Sequence, residues 1–260
     1  YLTNPICSVV EIVLRENNIG DEGVISIGNS FASNQVLKLK SLDLSSCTSI
    51  SSTSWIGLSA GLRSLKIENL LLCSTDIDDD GAVAIISALA KNSSLKTLDM
   101  KTNLSISSVG WVLCLRMCLG SEFTLESLLV NDNNINDEGA AVLVESLATF
   151  TSLKTLDLGS NPSISAPGWK SFFRSMLDSR FAPKALLLEN NNMDNEGAAI
   201  LVQLLTATNA VDTLSLRRNN SISMNGWRRF AEALQPSSVL KVLRLGATSQ
   251  SAKNNSLLVI

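Results

Sequence analysis

The segments Leu95-Lys96-Thr97-Leu98-Asp99-Met100 and Leu153-Lys154-Thr155-Leu156-Asp157-Leu158 are near-copies, 58 residues apart. Ile135-Asn136-Asp137-Glu138-Gly139-Ala140 likewise echoes Ile19-Gly20-Asp21-Glu22-Gly23-Val24. Self-similarity at a fixed spacing marks a stacked-repeat architecture. A block of the form LxxLxLxxN recurs along the whole chain. Its second apolar position falls at Ile12, Leu42, Leu70, Leu98, Leu128, Leu156, Leu186, Leu214 and Leu243. The steps are 30, 28, 28, 30, 28, 30, 28 and 29 residues, which makes nine copies with the last incomplete.

The copies alternate between two types. Odd copies read N-x-I-x-[DN]-[ED]-G, as in Asn17 to Gly23 and Asn133 to Gly139, and in Asn191 to Gly197 with Met193 in place of Ile. Even copies read N-x-S-I-S-x-x-G-W, as in Asn103 to Trp111, Asn161 to Trp169 and Asn219 to Trp227. All four tryptophans, Trp55, Trp111, Trp169 and Trp227, occupy this one slot. In LxxLxL the apolar positions have the period of two that a strand requires. After each turn glycine the period becomes helical: Leu143 and Leu147 follow Gly139, and Leu201 and Leu205 follow Gly197. The even copies fill the same slots with Phe172 and Met176, then Phe230 and Leu234. The acidic pair before Gly stands where a helix begins, which favours capping and the helix dipole.

These residues and spacings resemble the leucine-rich repeat family, in its ribonuclease-inhibitor-like class of long alternating repeats. The resemblance covers essentially the whole chain. It implies an α/β fold: a right-handed β/α solenoid, the leucine-rich-repeat horseshoe, with a parallel sheet on the concave face and helices on the convex face. It also implies that the slot Asn17, Cys47, Thr75, Asn103, Asn133, Asn161, Asn191, Asn219 and Thr248 points inward and bonds neighbouring turn backbones. Asn, Cys and Thr share small size and hydrogen-bonding capacity, so the set suits a buried ladder. No linker interrupts the phase, so residues 1–260 read as a single leucine-rich-repeat domain of about nine repeats.

Composition narrows the function. The 260 residues are 45% apolar and 17% charged, with a formal net charge of −3 and no histidine. That balance disfavours disorder and general nucleic-acid binding. The lack of histidine removes the commonest general base and the commonest zinc ligand. Apolar runs are too short to span a bilayer. Position 1 is Tyr and no signal peptide follows; the chain stops on Leu257-Leu258-Val259-Ile260. It therefore reads as a piece of a longer protein, truncated at both ends.

Several stretches invite chemistry and favour a plainer role. Asp76-Ile77-Asp78-Asp79-Asp80-Gly81 matches the first half of a calcium loop, but the twelfth position, which needs a bidentate Glu, is Ser87. Cys114 and Cys118 fall in the helix slots of Phe172 and Met176, so packing is preferred over metal binding. Cys73 is expected on the concave surface. An unpaired set of five cysteines favours a reducing, cytoplasmic compartment. Of four N-x-[ST] sequons, at Asn92, Asn103, Asn219 and Asn254, two are ladder positions. The tryptophan row is expected to pack between coils, with the indoles partly exposed as a second-choice contact stripe. Lys40, Glu68, Lys96, Glu126 and Lys154 begin adjacent strands and form a charge ladder, broken at Lys184 and resumed by Asp212 and Lys241. Residues 208–260 hold seven basic and two acidic side chains, net +5, against nine and thirteen, net −4, in 1–130. The basic cluster of Arg217, Arg218, Arg228, Arg229, Lys241 and Arg244 is expected to divide between the two faces.

The candidate site is the concave face. The middle residue of each LxL points into it, giving Val13, Asp43, Leu71, Asp99, Leu129, Asp157, Leu187, Ser215 and Arg244. Two residues on stand, among others, Lys101, Asn131, Glu189 and Arg217. Apolar residues alternating with carboxylates suggest a patch for a protein partner. The expected partner-binding residues are therefore Val13, Asp43, Leu71, Asp99, Lys101, Leu129, Asn131, Asp157, Leu187, Glu189, Arg217 and Arg244. No nucleophile–base pair, phosphate loop or metal set is present, so catalysis, cofactors and a small-molecule substrate are not expected. The resemblance implies a non-catalytic protein-interaction module, as in the sensing region of an intracellular nucleotide-binding receptor. A GTPase-activating regulator of the Ran type is the alternative, although no residue matches such a protein's polar catalytic loops.

Overall fold

Each repeat must bury one apolar strand face and one apolar helix stripe, which it achieves only by stacking on its neighbours. The computed structural model describes residues 2–4, 6–34, 36–147, 150–234 and 239–246. Among these, strands and helices alternate without exception. The strands are β1 (Glu11–Val13), β2 (Ser41–Asp43), β3 (Asn69–Leu71), β4 (Thr97–Asp99), β5 (Ser127–Leu129), β6 (Thr155–Asp157), β7 (Ala185–Leu187), β8 (Thr213–Ser215) and β9 (Val242–Arg244). The helices are α1 (Asp21–Ser33), α2 (Ser52–Leu62), α3 (Asp79–Leu89), α4 (Ser108–Cys118), α5 (Asp137–Leu147), α6 (Ala166–Ser179), α7 (Asn195–Thr208) and α8 (Met224–Leu234). The strands form one parallel sheet in sequence order. Parallel strands lie about 4.8 Å apart, whereas packed helices need about 8–10 Å, so the stack curves with the sheet inside.

The register joins equivalent residues of every coil. Leu42, Leu70, Leu98, Leu128, Leu156, Leu186 and Leu214 stand side by side and are buried. Ile12 and Leu243 continue the row at its two ends and are half-buried. The repeat slots therefore mark one aliphatic spine, as the sequence predicts.

Turn chemistry holds the coils in phase. The residue before each ladder slot, from Glu16 to Arg218, has a left-handed φ between 52° and 60°. Its N–H donates to the next coil, as from Ser74 to the Lys101 carbonyl at 2.9 Å. The ladder asparagines then act inside. Asn133 accepts the Asn103 N–H at 2.9 Å and donates to the Met100 and Val130 carbonyls, both at 3.0 Å. Asn191 accepts from the Asn161 N–H at 3.0 Å, and Thr75 donates to Asn103 at 3.1 Å. Cys47 donates its thiol to the Leu14 carbonyl. Asn17 departs from the expected inward ladder: it is exposed and bonds only carbonyls of its own turn, because the first coil has a described neighbour on one side alone. Thr248 lies outside the described residues.

A second clasp sits at the helix starts. Helices α3, α5 and α7 are capped one residue earlier than expected: Asp78, Asn136 and Asp194 accept the N–H of Gly81, Gly139 and Gly197, whereas Gly20 leaves α1 without a side-chain cap. The first residue of the acidic pair instead reaches the next coil. Asp79 accepts the Ser107 N–H at 2.7 Å and its hydroxyl at 2.6 Å, and Asp137 does the same with Ser165. Asp21 and Asn195 hold Ser51 and Ser223. A Cβ on Gly110, Gly168 or Gly226 would stand 2.0 Å from the clasping side chain, which is why glycine follows three residues after the serine. In the first pair Ser54 fills that place, and its hydroxyl helps hold the Asp21 carboxyl below its usual range, behind the larger effect of the Ser51 N–H.

The tryptophans settle the helix layer. Trp55, Trp111 and Trp169 are fully buried, which corrects the expected partial exposure and rules them out as a docking stripe. Trp111 and Trp169 follow the glycine and Trp55 follows Ser54, and the next coil closes over the indole: a Cβ on Gly81 would stand 2.9 Å from Trp55. Trp169 packs on Phe172 and Phe173 at centroid distances of 5.7 and 5.6 Å. Trp227 alone is half-buried.

Candidate functional site

The concave face carries the alternation read from the sequence. Register places Val13, Asp43, Leu71, Asp99, Leu129, Asp157, Leu187, Ser215 and Arg244 in one row across all nine strands. Exposure along the row is uneven. Val13 and Arg244 are exposed, and Leu71, Leu129, Asp157 and Leu187 are half-buried. Asp43 and Asp99 are only 7% exposed, so they are not open contact groups as expected. Each is turned onto its own backbone: Asp43 accepts the Ser45 N–H at 2.9 Å and Asp99 the Lys101 N–H at 3.1 Å. Asp157 makes the same turn with Gly159 at 3.0 Å but stays half-exposed. The aspartates thus order the strand exits before they offer charge to anything else.

The second row is more polar. Lys101, Asn131 and Glu189 are half-buried, and Arg217 is exposed. Lys101 pairs with Asp99 at 3.1 Å. Asn131 donates to Asp132 at 2.6 Å, and Ser215 donates to Glu189. Burial raises the Asp157 carboxyl to about 6; the Gly159 N–H and Lys101 oppose that, while Asp132 and Glu189 add to it. Asp132 and Ser215 belong to this gathering but were absent from the expected contact set. Asp132 has a sequence signal, as the residue before the ladder slot. Ser215 has only its place in the row.

Outside the face, the other candidate sites resolve into scaffold. In the calcium-loop-like segment Asp78 caps α3 and accepts from Ser52, while Asp79 holds Ser107. Cys114 and Cys118 are buried, and burial pushes both thiols up to about 12. Cys7 and Cys47 are buried, and Cys73 is half-buried beside Ser74 on the concave side. All five cysteines are unpaired. The sequon residues Asn103 and Asn219 are buried, as is Asn92, which donates to the Leu65 carbonyl; Asn254 lies outside the described residues. The strand-start ladder forms: Glu68 sits 2.6 Å from both Lys40 and Lys96, Glu126 2.5 Å from Lys154, and Asp212 3.9 Å from Lys241. The two lysines hold the Glu68 carboxyl down to about 2. The basic cluster divides as expected: Arg217 and Arg244 on the sheet side, Arg228 and Arg229 on α8.

Comparison with known proteins agrees with this architecture. Residues 6–28, 122–144 and 151–173 match the family described as Leucine Rich repeat. The ribonuclease inhibitor of Sus scrofa is 26% identical over 212 residues, 80% of this chain and 45% of that protein. The chain thus spans less than half the length of that curated relative. The leucine-rich repeat-containing protein LegL7 from Legionella pneumophila superposes with a TM-score of 0.53 at 19% identity, over 96% of this chain and 78% of that one. A chain from the yeast Rad7 and Elc1 complex superposes with a TM-score of 0.50 at 16% identity, over 87% and 63%. The chain thus carries leucine-rich repeats and is similar to proteins of the ribonuclease-inhibitor-like class. No described helix is long and apolar enough to cross a membrane.

Proposed function

We propose that the chain is a non-catalytic scaffold that binds a protein partner through its concave face. The observation that carries this reading is the row Leu71, Leu129 and Leu187. Three aliphatic side chains remain half-exposed on an open sheet face while the spine residues beside them are buried. A rigid, hydrogen-bonded sheet presents them without reordering, which lowers the entropic cost of association. The match to ribonuclease inhibitor, a protein named for the proteins it inhibits, agrees with a binding role.

Leu129→Glu together with Leu187→Glu is expected to abolish capture of the partner and to leave the thermal melt within about 2 °C. Normal capture by the double variant sinks the concave-face proposal. Placement as the sensing region of an intracellular nucleotide-binding receptor, in a reducing cytoplasmic compartment, rests on the repeat class and the five unpaired cysteines. A P-loop domain on the same transcript tests that placement. Accelerated GTP hydrolysis by a small GTPase on addition of the chain would instead favour the Ran-type activator.

A further inference from the structure

Hydrogen-bond acceptors gather around one point of the concave face. Asp157 lies between Leu129 and Leu187 in register. One of its oxygens takes the Gly159 N–H, and no described cation stands within ion-pair distance of the carboxylate. Lys101, the basic group acting on Asp157, makes its ion pair with Asp99 instead. Asp132 and Glu189 add negative charge from the two neighbouring coils. The Asn131 amide nitrogen donates to Asp132 and does not reach Asp157. A half-buried carboxylate without a cation is costly. On the C-terminal side, Arg217 and Arg244 are exposed and make no described ion pair.

We propose that Asp157 is the seat for one arginine of a protein partner, with its methylenes over Leu129 and Leu187 and its guanidinium turned to Asp157 and Asp132. This deepens the concave-face reading and rests on it. Several acceptors around one point suit the five fixed donors of a guanidinium better than the point charge of an ammonium. The aliphatic stem of such a side chain covers apolar surface while its head stays polar. Arg217 and Arg244 stand two and three strands away, about 10 and 14 Å by strand spacing, and repel a second cation there. The partner segment therefore carries a single arginine with neutral or acidic residues toward β9, rather than a polybasic run.

The test uses the 260-residue chain and a random dodecapeptide library displayed on phage. The strongest binder is synthesised with arginine and with citrulline, its neutral isostere. The citrulline exchange is expected to weaken binding about tenfold to wild type and less than about threefold to Asp157→Asn. Arginine binding should also weaken as pH falls through about 6, because the guanidinium needs the ionised carboxylate. Should Asp157→Asn fail to fold, Asp132→Asn carries the same test with about a threefold loss, since asparagine accepts the left-handed φ of 55° there. A binder lost with Leu129→Glu but indifferent to citrulline and to Asp157→Asn overturns the arginine seat and leaves the binding face standing. A library with no binder sensitive to Leu129→Glu overturns the face and the seat together.

Discussion

The junction between α1 and α2 and the junction between α7 and α8 use the same turn chemistry and pack differently. Both are clasped, by Asp21 on Ser51 and by Asn195 on Ser223. At the first, backbones nearly touch: a Cβ on Gly61 would lie 2.3 Å from the Gly28 carbonyl oxygen, and one on Gly28 would lie 2.9 Å from that of Gly57. Ile25 fills the remaining space, 3.6 Å from where a Gly57 Cβ would stand. At the last, Ala199, Phe230 and Ala233 line an open groove of about 370 Å³. Between α5 and α6 the equivalent groove, about 260 Å³, is lined by Ala141, Ser171 and Ser175. In α4 the places of Ser171 and Ser175 hold Leu113 and Met117. The difference teaches that phase is set on the turn side, by the ladder and the clasp, and that the outer helix layer is free to be tight or loose.

The sharpest way to break the comparison is at the tight junction. Gly61→Leu is expected to cost about 3 kcal/mol, because backbone must move to admit it; urea unfolding measures this, and a loss below about 1 kcal/mol would show that the helices do not meet as described. The shared clasp comes next. Gly168→Ala puts a methyl 2.0 Å from Asp137 and is expected to cost about 2 kcal/mol; in a double-mutant cycle most of that cost should vanish once Asp137 is already alanine.

On the concave face the sign is opposite. Burial holds the Asp157 carboxyl at about 6, above its unfolded value, so its ionisation opposes folding. The penalty is absent below about pH 4, grows toward pH 6 and is complete above it. Asp157→Asn should therefore stabilise by about 1 kcal/mol near pH 7.5, after discount for partial exposure, and by nothing measurable below pH 4, read from melts at both pH values. Equal effects at both pH values would contradict this account. The smallest expected effect fills the loose junctions. Ser175→Met copies the Met117 slot and should raise stability by about 0.5–1 kcal/mol in thermal unfolding; a loss would mean that the groove cannot admit what α4 admits.

Much of the concave face is readable because a period-two pattern assigns sides to strand residues without reference to anything distant. The row from Val13 to Arg244 came out in register for that reason. Exposure within the row was not readable. Asp43, Asp99 and Asp157 all close onto N–H groups two residues on, yet only Asp157 stays half-exposed, and the difference arises in the surrounding coils. The clasp was partly visible, since Asp79 and Ser107 belong to the two repeated motifs, but nothing local says that a carboxylate opening one helix will bond the serine 28 residues later. The repeat puts the tryptophans in one slot but does not carry their exposure, because closure over Trp55, Trp111 and Trp169 is an act of the next coil.

The sequence alone determined the number of coils, their phase and the facing of each aliphatic slot, because a repeated period forces equivalent residues into equivalent places when coils stack. Only the tertiary structure decided how close neighbouring helices come and which carboxylates remain open to solvent. Those properties depend on pairs of residues that meet across a coil boundary, and the energy of such a meeting is not carried by either residue alone.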